Sequence, residues 1–299
     1  MASRELVLGL SISDQTVQAV EVEQEGPANT LLAIDEWENT LPTGTTDDGH
    51  GVSQFIEYLS AFIKVNRVKA KRVSVALDST SLFINSFPLE DGLSRVEINE
   101  HVNWELGQFF PGSGSNEFVT DIHVMARNPA ERWNKVLSVS VRRRDAYAVQ
   151  SAVGKLGLSL HILDVDHFSA DTALRINYPD SERKYLALMG VKENRLDISL
   201  LRNGNLESYT YGIVQSNREI VDQIGEVSRD VKGIQSITVY GPYLDKDLLV
   251  LIRRGSALLV EALNPLRHVK VSDTLRLADH LSVPSYRFAS AVGVALRRE

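Results

Sequence analysis

The 299-residue sequence contains no cysteine, which excludes disulfide scaffolds, cysteine-ligated zinc, iron–sulfur clusters and thiol nucleophiles. It also lacks an uninterrupted apolar run of about 18 residues, the length that a membrane-spanning helix requires. The N-terminal segment has neither the long apolar core nor the small-residue cleavage site of a signal peptide. No Gly-x-Ser-x-Gly nucleophile turn or Walker-type phosphate loop occurs. We therefore expect a soluble cytoplasmic protein that reaches a membrane only through partners.

The charge balance is mildly acidic, with 32 Lys and Arg against 39 Asp and Glu and a formal net charge of −7. This balance argues against a dedicated nucleic-acid-binding protein, whose affinity normally depends on a basic surface. Apolar residues at 43% and charged residues at 24% are typical of globular proteins and too balanced for disorder. At roughly 100–200 residues per domain, the length predicts two domains or one large bilobed unit.

A strand–turn–strand pattern occurs twice along the chain. Its first copy covers residues 6–10 and 16–22, and its second covers residues 185–189 and 196–201. The second copy is followed by Asn203-Gly204, a pair typical of the type I′ turn of a β-hairpin because both central positions need positive φ. The repetition predicts a mixed α/β protein with two β-rich lobes.

Four stretches of the sequence resemble the type IV pilus assembly protein PilM, a family of cytoplasmic actin-like proteins related to the cell-division protein FtsA. They are LGLSISDQTVQAVEV (8–22), VSVALDSTSLFINSFPLE with INEHVNWELGQFFP (73–111), the segment from LSVSVRRRDAY to DHFSADTAL (137–174), and VEALNPLRHVKV with the closing YRFASAVGVALRRE (260–299). The blocks WELGQFFP and LDVDHFSADTAL are the most specific. Together the four stretches span nearly the whole chain in family order.

The resemblance implies an actin-like, ribonuclease H-like α/β fold with two lobes. The first lobe would cover residues 1–183, with a sheet subdomain at 1–80 and 160–183 and an inserted FtsA-type small subdomain at 81–159. Residues 184–299 would form the second lobe. The helical subdomain of this lobe would be smaller than in other family members, because only one helix, at about 218–231, fits between the two neighbouring strands.

The positions that bind ATP in actin-like proteins have changed in this chain. Such proteins hold ATP between the lobes with two turns, each carrying an Asp for the metal and a Gly that admits backbone N–H groups to the phosphates. The corresponding positions here are Ser11 and Ser13 in the first turn, Gly190 and Lys192 in the second turn, and Gly241, followed by Pro242, on the adenosine side. These changes predict no ATP hydrolysis, little or no nucleotide binding and no cofactor.

Lys192 leaves one alternative open. With the turn amides it would bind phosphate, which would preserve an ATP- and magnesium-dependent switch. We expect instead that Lys192 lies in an exposed turn and is solvated.

The segment 161–167 gathers His161, Asp164, Asp166 and His167, which superficially suggests a metal site. On a strand, the two histidines would share one face and the two aspartates the other. Because the four side chains would not converge, we expect no metal here.

A groove for a partner peptide is the main functional expectation. In the family, a groove between the first sheet subdomain and the small subdomain receives the cytoplasmic N-terminal peptide of the bitopic membrane protein PilN. In this chain, strands at 72–77 and 82–87 would form it, with a helix at 96–110 nearby. That helix typically packs on its own sheet, but its aromatic residues would also suit a groove edge. The candidate contacts are Val75, Leu77, Leu82, Ile84, Trp104, Phe109 and Phe110.

The resemblance thus implies a scaffold of a type IV pilus or related secretion machine at the inner membrane. It would bind a PilN-type partner and help to couple that partner to the motor ATPase. Three alternatives remain open at this point: the cytoplasmic subunit of a type II secretion platform, a working ATP-dependent switch, and an actin-like filament-forming protein.

Overall fold

The structure is a computed structural model that describes residues 4–41, 50–90, 92–112, 115–125, 133–276 and 283–298. The strands are β1 (Arg4–Ile12), β2 (Thr16–Glu25), β3 (Ala28–Glu38), β4 (Arg72–Leu77), β5 (Phe83–Glu90), β6 (Phe118–Val124), β7 (Trp133–Arg142), β8 (Ser159–Val165), β9 (Tyr185–Val191), β10 (Arg195–Arg202), β11 (Asn205–Ile213), β12 (Ser236–Tyr240), β13 (Leu259–Ala262) and β14 (Lys270–Val271). The helices are α1 (His50–Val65), α2 (Arg95–Phe109), α3 (Arg143–Gly154), α4 (Asp166–Asn177), α5 (Asn217–Asp230), α6 (Lys246–Gly255), α7 (Asp273–Arg276) and α8 (Ala289–Leu296).

The first lobe is built on a six-stranded mixed sheet with the order β14-β3-β2-β1-β4-β8. Strand β1 pairs antiparallel with β2 and parallel with β4, which in turn pairs parallel with β8. Because side chains alternate along β1, Leu8 and Leu10 face α1 and α3, whereas Val7 faces α8. Both faces of this sheet are therefore covered by helices.

The second lobe repeats this plan on a five-stranded sheet with the order β11-β10-β9-β12-β13. Strand β9 pairs antiparallel with β10 and parallel with β12, as β1 does with β2 and β4. Ala187 and Met189 of β9 pack in one core with α5 and α6, and Leu186 and Leu188 pack on α4. The predicted two-lobed mixed α/β architecture is confirmed, and α4 lies between the two large sheets.

A small three-stranded sheet with the order β5-β7-β6 projects from the first lobe. On one face, Phe87, Phe118 and Val136 pack against Val102 and Leu106 of α2. Helix α2 begins at a capping box, in which Ser94 and Glu97 satisfy each other's backbone N–H groups. The other face of the small sheet is turned toward β8 and α4.

Two predicted domain boundaries need correction. The predicted insertion at 81–159 includes helix α3, but Val149 and Ala152 of this helix pack in the core of the six-stranded sheet. The predicted second lobe covers residues 184–299, but β14 pairs with β3, and α8 packs on β1, β2 and α4. The insertion is therefore shorter than predicted, and the C-terminal segment returns to the first lobe.

Helix α8 is buried on every side between the first sheet and α4, as expected for a helix that is apolar all round. Glycine makes this close approach feasible, because a Cβ at Gly293 would lie 1.8 Å from the Ser169 carbonyl oxygen. A Cβ at Gly9 would similarly lie 2.3 Å from the Ala291 carbonyl oxygen. Within the described ranges, no helix is both long enough and apolar enough to cross a membrane.

Candidate functional site between the lobes

A buried lysine occupies the centre of the cleft between the lobes. The Lys192 Nζ atom lies 2.6 Å from Asp78 Oδ1, 2.7 Å from Asp166 Oδ2 and 3.1 Å from Asp197 Oδ2. The Lys192 side chain is 7% exposed, and none of the three aspartate side chains exceeds 9%. We call these four residues the cleft cluster.

Topology brings the members of the cleft cluster together. Asp78 directly follows β4 and Asp166 directly follows β8, and these neighbouring parallel strands end at the same edge of the first sheet. Asp197 lies in β10, and Lys192 lies in the turn that joins β9 to β10. The first lobe therefore supplies two carboxylates, whereas the second lobe supplies the third carboxylate and the ammonium group.

Asp197 has the most complete set of partners. Besides Lys192, it accepts hydrogen bonds from Arg195 Nε at 2.8 Å, from the Tyr209 hydroxyl at 2.7 Å and from Ser79 Oγ at 2.6 Å. A fully buried carboxylate is stable only when such donors replace its lost water. The hydrogen bond from Ser79 to Asp197 crosses the cleft, so it connects the two lobes in addition to Lys192.

The charges of the cleft cluster depend on one another. Burial disfavours the charge on Lys192, but attraction by Asp166, Asp197 and Asp78 outweighs it and raises the lysine pKa. Burial pushes the pKa of Asp197 upward, yet Lys192 and its other donors hold it well below the ordinary value. For Asp166, burial dominates and raises the pKa to about 7, against the opposing effect of Lys192. Near neutral pH, Lys192 is therefore positively charged and Asp166 is partly protonated.

His167 extends this polar network beneath the cluster. Its ring nitrogens lie 2.8 Å from the Tyr240 hydroxyl and 2.9 Å from Ser199 Oγ, so it also joins α4 to the second sheet. Burial lowers the pKa of His167 to about 4, although the nearby Asp197 opposes that shift. His167 is therefore neutral at pH 7 and acts there as a hydrogen-bonding bridge.

The expectation that Lys192 is exposed and solvated is wrong. Its ammonium group fills the space between three carboxylates, where a divalent cation would need oxygen ligands at about 2.0–2.6 Å. The Lys192 side chain is only 7% exposed and its ammonium group is held by the three carboxylates, so it does not extend into solvent to reach a phosphate. The residues present in the cleft therefore do not fit a metal-bound triphosphate.

The other residues at the positions of the nucleotide site pack or form hydrogen bonds within the protein. Ser11 is buried within β1, and Ser13 Oγ closes the β1–β2 turn by donating to the Thr16 carbonyl at 3.0 Å. A Cβ at Gly190 would lie 2.7 Å from the Tyr240 hydroxyl. Gly241 has a φ of +130°, and a Cβ there would lie 2.3 Å from the Val191 carbonyl oxygen. Both glycines thus make room for protein atoms.

The segment at 161–167 does not form the expected single strand, because β8 ends at Val165, and Asp166 and His167 begin α4. Asp166 enters the cleft cluster, whereas Asp164 accepts a hydrogen bond from Ser169 Oγ at 2.9 Å and pairs with Arg297. His167 is fully buried, and His161 on β8 is partly exposed. The four side chains lie in different surroundings and do not converge on one point.

Sequence reasoning missed Asp78 and Asp197 and considered Asp166 only as a metal ligand. A usable signal was present, because both Asp78 and Asp166 end apolar segments that become parallel strands. Asp197 stands inside the apolar run LDISLL, where a charge requires a buried partner. No single-sequence pattern names Lys192 as that partner.

A cavity of about 520 Å³ lies between the small sheet and the first lobe. One wall is the face of the small sheet opposite to α2, with Val119, Val139 and Val141. The opposite wall comes from β8 and α4, and the β10–β11 hairpin contributes Leu206 at one side. Its charged residues include two ion pairs, Arg175 with Asp171 and Arg297 with Asp164. We call this cavity the small-sheet groove.

The structure places only some of the predicted partner contacts in the small-sheet groove. Leu77 and Leu82 line it, and Ile84 is partly buried against the adjoining α4 core. Val75 is fully buried in the first lobe and offers no surface to a partner.

The aromatic residues of the α2 region lie elsewhere. Helix α2 packs on the opposite face of the small sheet, so Trp104, Phe109 and Phe110 do not line the groove. The prediction that they reach its edge is wrong. Trp104 and Phe109 are more than half exposed, and the Phe109 ring packs on Phe83 of β5.

Comparison with known proteins identifies the family. The model of the family described as type IV pilus assembly protein PilM matches residues 9–235. Among solved structures, a PilM–PilN type IV pilus biogenesis complex is similar, with a TM-score of 0.75 and 18% identity over 97% of both chains.

Two more distant structures share the architecture. A Bacteroides thetaiotaomicron protein with an actin-like ATPase fold gives a TM-score of 0.53 at 13% identity, over 87% of this chain and 91% of that one. The ethanolamine utilization protein EutJ from Carboxydothermus hydrogenoformans gives 0.51 at 12% identity, over 99% and 90%. At such identities these structures show a common actin-like fold.

Proposed function

This chain belongs to the type IV pilus assembly protein PilM family, and we propose that within pilus assembly it is a cytoplasmic scaffold that binds an extended peptide and does not hydrolyse ATP. The partner would be the cytoplasmic N-terminal segment of a PilN-type membrane protein. Support comes from the similar solved structure, which is a PilM–PilN complex.

The small-sheet groove is the observation that carries the peptide-binding part of the proposal. Within the described residues, β8 ends the strand order of the six-stranded sheet and β6 ends that of the small sheet. Both edge strands contribute to the groove wall. An extended peptide suits such a place, because an edge strand offers main-chain hydrogen bonds while apolar pockets select side chains.

A pair of matched variants tests the groove. Val119 and Val124 both lie on β6 and are 43% and 47% exposed, but only Val119 lines the groove. Calorimetry with a synthetic peptide of the cytoplasmic N-terminal segment of the PilN-type partner should show that Val119→Arg weakens binding at least about tenfold. Val124→Arg should bind like the wild type. Equal effects of both substitutions, or none from Val119→Arg, would reject the groove as the binding site.

The cleft cluster supports the second part of the proposal, the absence of ATP hydrolysis. Lys192 takes up the space between the carboxylates. Gly190 of the second turn packs against Tyr240, and Gly241 of the adenosine side packs against Val191. Calorimetry with ATP and Mg²⁺ should therefore show no saturable binding, and phosphate release should stay at the rate of a protein-free control. Micromolar, magnesium-dependent binding would overturn this part and favour the nucleotide switch.

A further inference from the structure

We propose that Lys192 is the resident cation of this cleft: its ammonium group holds the two lobes in one fixed arrangement, in the place where a divalent cation would lie. The protein would then keep a closed cleft without any ligand. This inference concerns the lobes alone and stands apart from peptide binding.

The connectivity of the cleft cluster supports this role. Lys192 belongs to the second lobe, and its pairs with Asp78 at 2.6 Å and Asp166 at 2.7 Å both cross to the first lobe. Its pair with Asp197 at 3.1 Å anchors the same ammonium group within its own lobe. One cation therefore bridges carboxylates from both sides of the cleft, as a bound metal ion would.

The chemistry of the ammonium group fits the site. An ammonium group has three N–H donors, and three carboxylates and the Ser79 hydroxyl lie within hydrogen-bonding distance of it. With Lys192 removed, three buried carboxylates would face one another, and Arg195 would still pair with Asp197. Buried charges that lose their partner are strongly unfavourable, so the lobes should separate or the carboxylates should take up another cation.

Contacts of Asp166 connect the cleft cluster to α4 and, through α4, to the second sheet. Asp166 is the first residue of α4, and Ala170 and Ala173 of the same helix pack on Leu186 and Leu188 of the second sheet. The backbone N–H of Ser79 donates to Asp166 at 3.0 Å, so the two first-lobe carboxylates are tied to each other. Asp166 therefore connects Lys192 to a helix that packs against the second sheet.

The absence of cysteine makes a direct distance measurement straightforward. Glu57 on α1 and Glu226 on α5 are exposed residues of the first and second lobes. Spin labels on Glu57→Cys and Glu226→Cys should give one narrow distance distribution in the otherwise wild-type protein, unchanged by ATP with Mg²⁺. Adding Lys192→Met should broaden or shift it and lower the melting temperature on the order of 10 °C.

Chemical rescue separates a cation role from simple packing. Lys192→Ala removes three methylene groups and the ammonium group, which together correspond to propylammonium. Millimolar propylammonium or the diamagnetic Mg²⁺ should restore the narrow distribution in Lys192→Ala, whereas tetramethylammonium, which has no N–H donors, and NaCl of equal ionic strength should not. Lys192→Met, whose side chain fills the space, should not respond to either cation.

The outcomes decide the proposal in either direction. Wild-type distances and melting temperature in both Lys192 variants would overturn it, as would rescue by tetramethylammonium or NaCl. If the Lys192 variants do not fold, Asp78→Asn provides the test, because it keeps the side-chain shape and removes one charge across the cleft. A broadened distribution in Asp78→Asn supports the proposal, and an unchanged one rejects it.

Discussion

The Nζ atom of Lys192 and the Oδ1 atom of Asp78 lie 2.6 Å apart, and they join two lobes whose sheets have no strand in common. Both side chains are more than nine-tenths buried. A buried ion pair adds little net stability compared with an apolar pair of the same shape, but the loss of one partner is costly. The Lys192–Asp78 pair therefore acts mainly by favouring one arrangement of the two lobes over others.

Replacing Asp197 with Asn should lower the free energy of unfolding by about 3 kcal/mol, because Lys192 and Arg195 would then share fewer buried carboxylates. Urea unfolding followed by circular dichroism measures the change. Asp222→Asn is the matched control, since Asp222 pairs with Arg218 at 3.8 Å on the exposed side of α5. That control should stay within about 0.5 kcal/mol of the wild type, and a comparable loss in both variants would contradict the prediction.

His167 should make the protein acid-sensitive. Its pKa is about 4 in the folded protein and 6.5 in the unfolded chain, so between these values the unfolded state binds more protons. The His167 contribution to stability is present above pH 6.5 and is lost, by about 3 kcal/mol, as the pH falls toward 4. The charges of Asp197, Lys192 and Arg195 also act on the pKa of this ring. The backbone N–H of His167 donates to Asp166 at 2.7 Å.

Comparison with His167→Gln isolates that contribution. Asp166 acts in the opposite direction, because its raised pKa of about 7 makes the folded state bind more protons as the pH falls. The difference in unfolding free energy between the wild type and His167→Gln should therefore be followed from pH 7.5 to 4. It should shift in favour of the variant as the pH falls, and a difference independent of pH would contradict the assignment of a neutral buried histidine.

Gly293→Ala should strongly destabilise the protein, because the new Cβ would lie 1.8 Å from the Ser169 carbonyl oxygen and would force α8 away from α4. We expect a loss of at least about 2 kcal/mol, measured by thermal or urea unfolding. Gly107→Ala in α2 is the control, since nothing lies within 4 Å of its Cβ position. There alanine should stabilise the helix by up to about 1 kcal/mol.

Trp104→Ala should leave the affinity for the groove peptide unchanged, although Trp104 is an exposed aromatic residue. The reason is that α2 covers the face of the small sheet opposite to the small-sheet groove. Leu82→Ala, which alters the groove wall, should weaken the same peptide severalfold in calorimetry. A larger loss from Trp104→Ala than from Leu82→Ala would place the peptide on α2 instead.

Much of the fold was predictable because local patterns encode it. Alternating apolar residues and the Asn203-Gly204 turn predicted the repeated strands, and the structure has β9, β10 and β11 at those positions. The domain boundaries were less predictable. Helix α8 joins the first lobe although it follows the second lobe in sequence, and apolar periodicity identifies a buried face without naming its partner.

The sequence by itself determined the two-lobed α/β architecture, the chemistry excluded by the missing cysteines, and the replacement of the residues expected at the nucleotide turns. Only the tertiary structure decided that Lys192 is buried and paired, since its three carboxylate partners come from the ends of β4 and β8 and from β10. The same holds for the small-sheet groove, whose walls come from segments far apart in the chain. Local sequence fixes which side chains can carry charge or form a strand, whereas distance and burial depend on how the sheets pack.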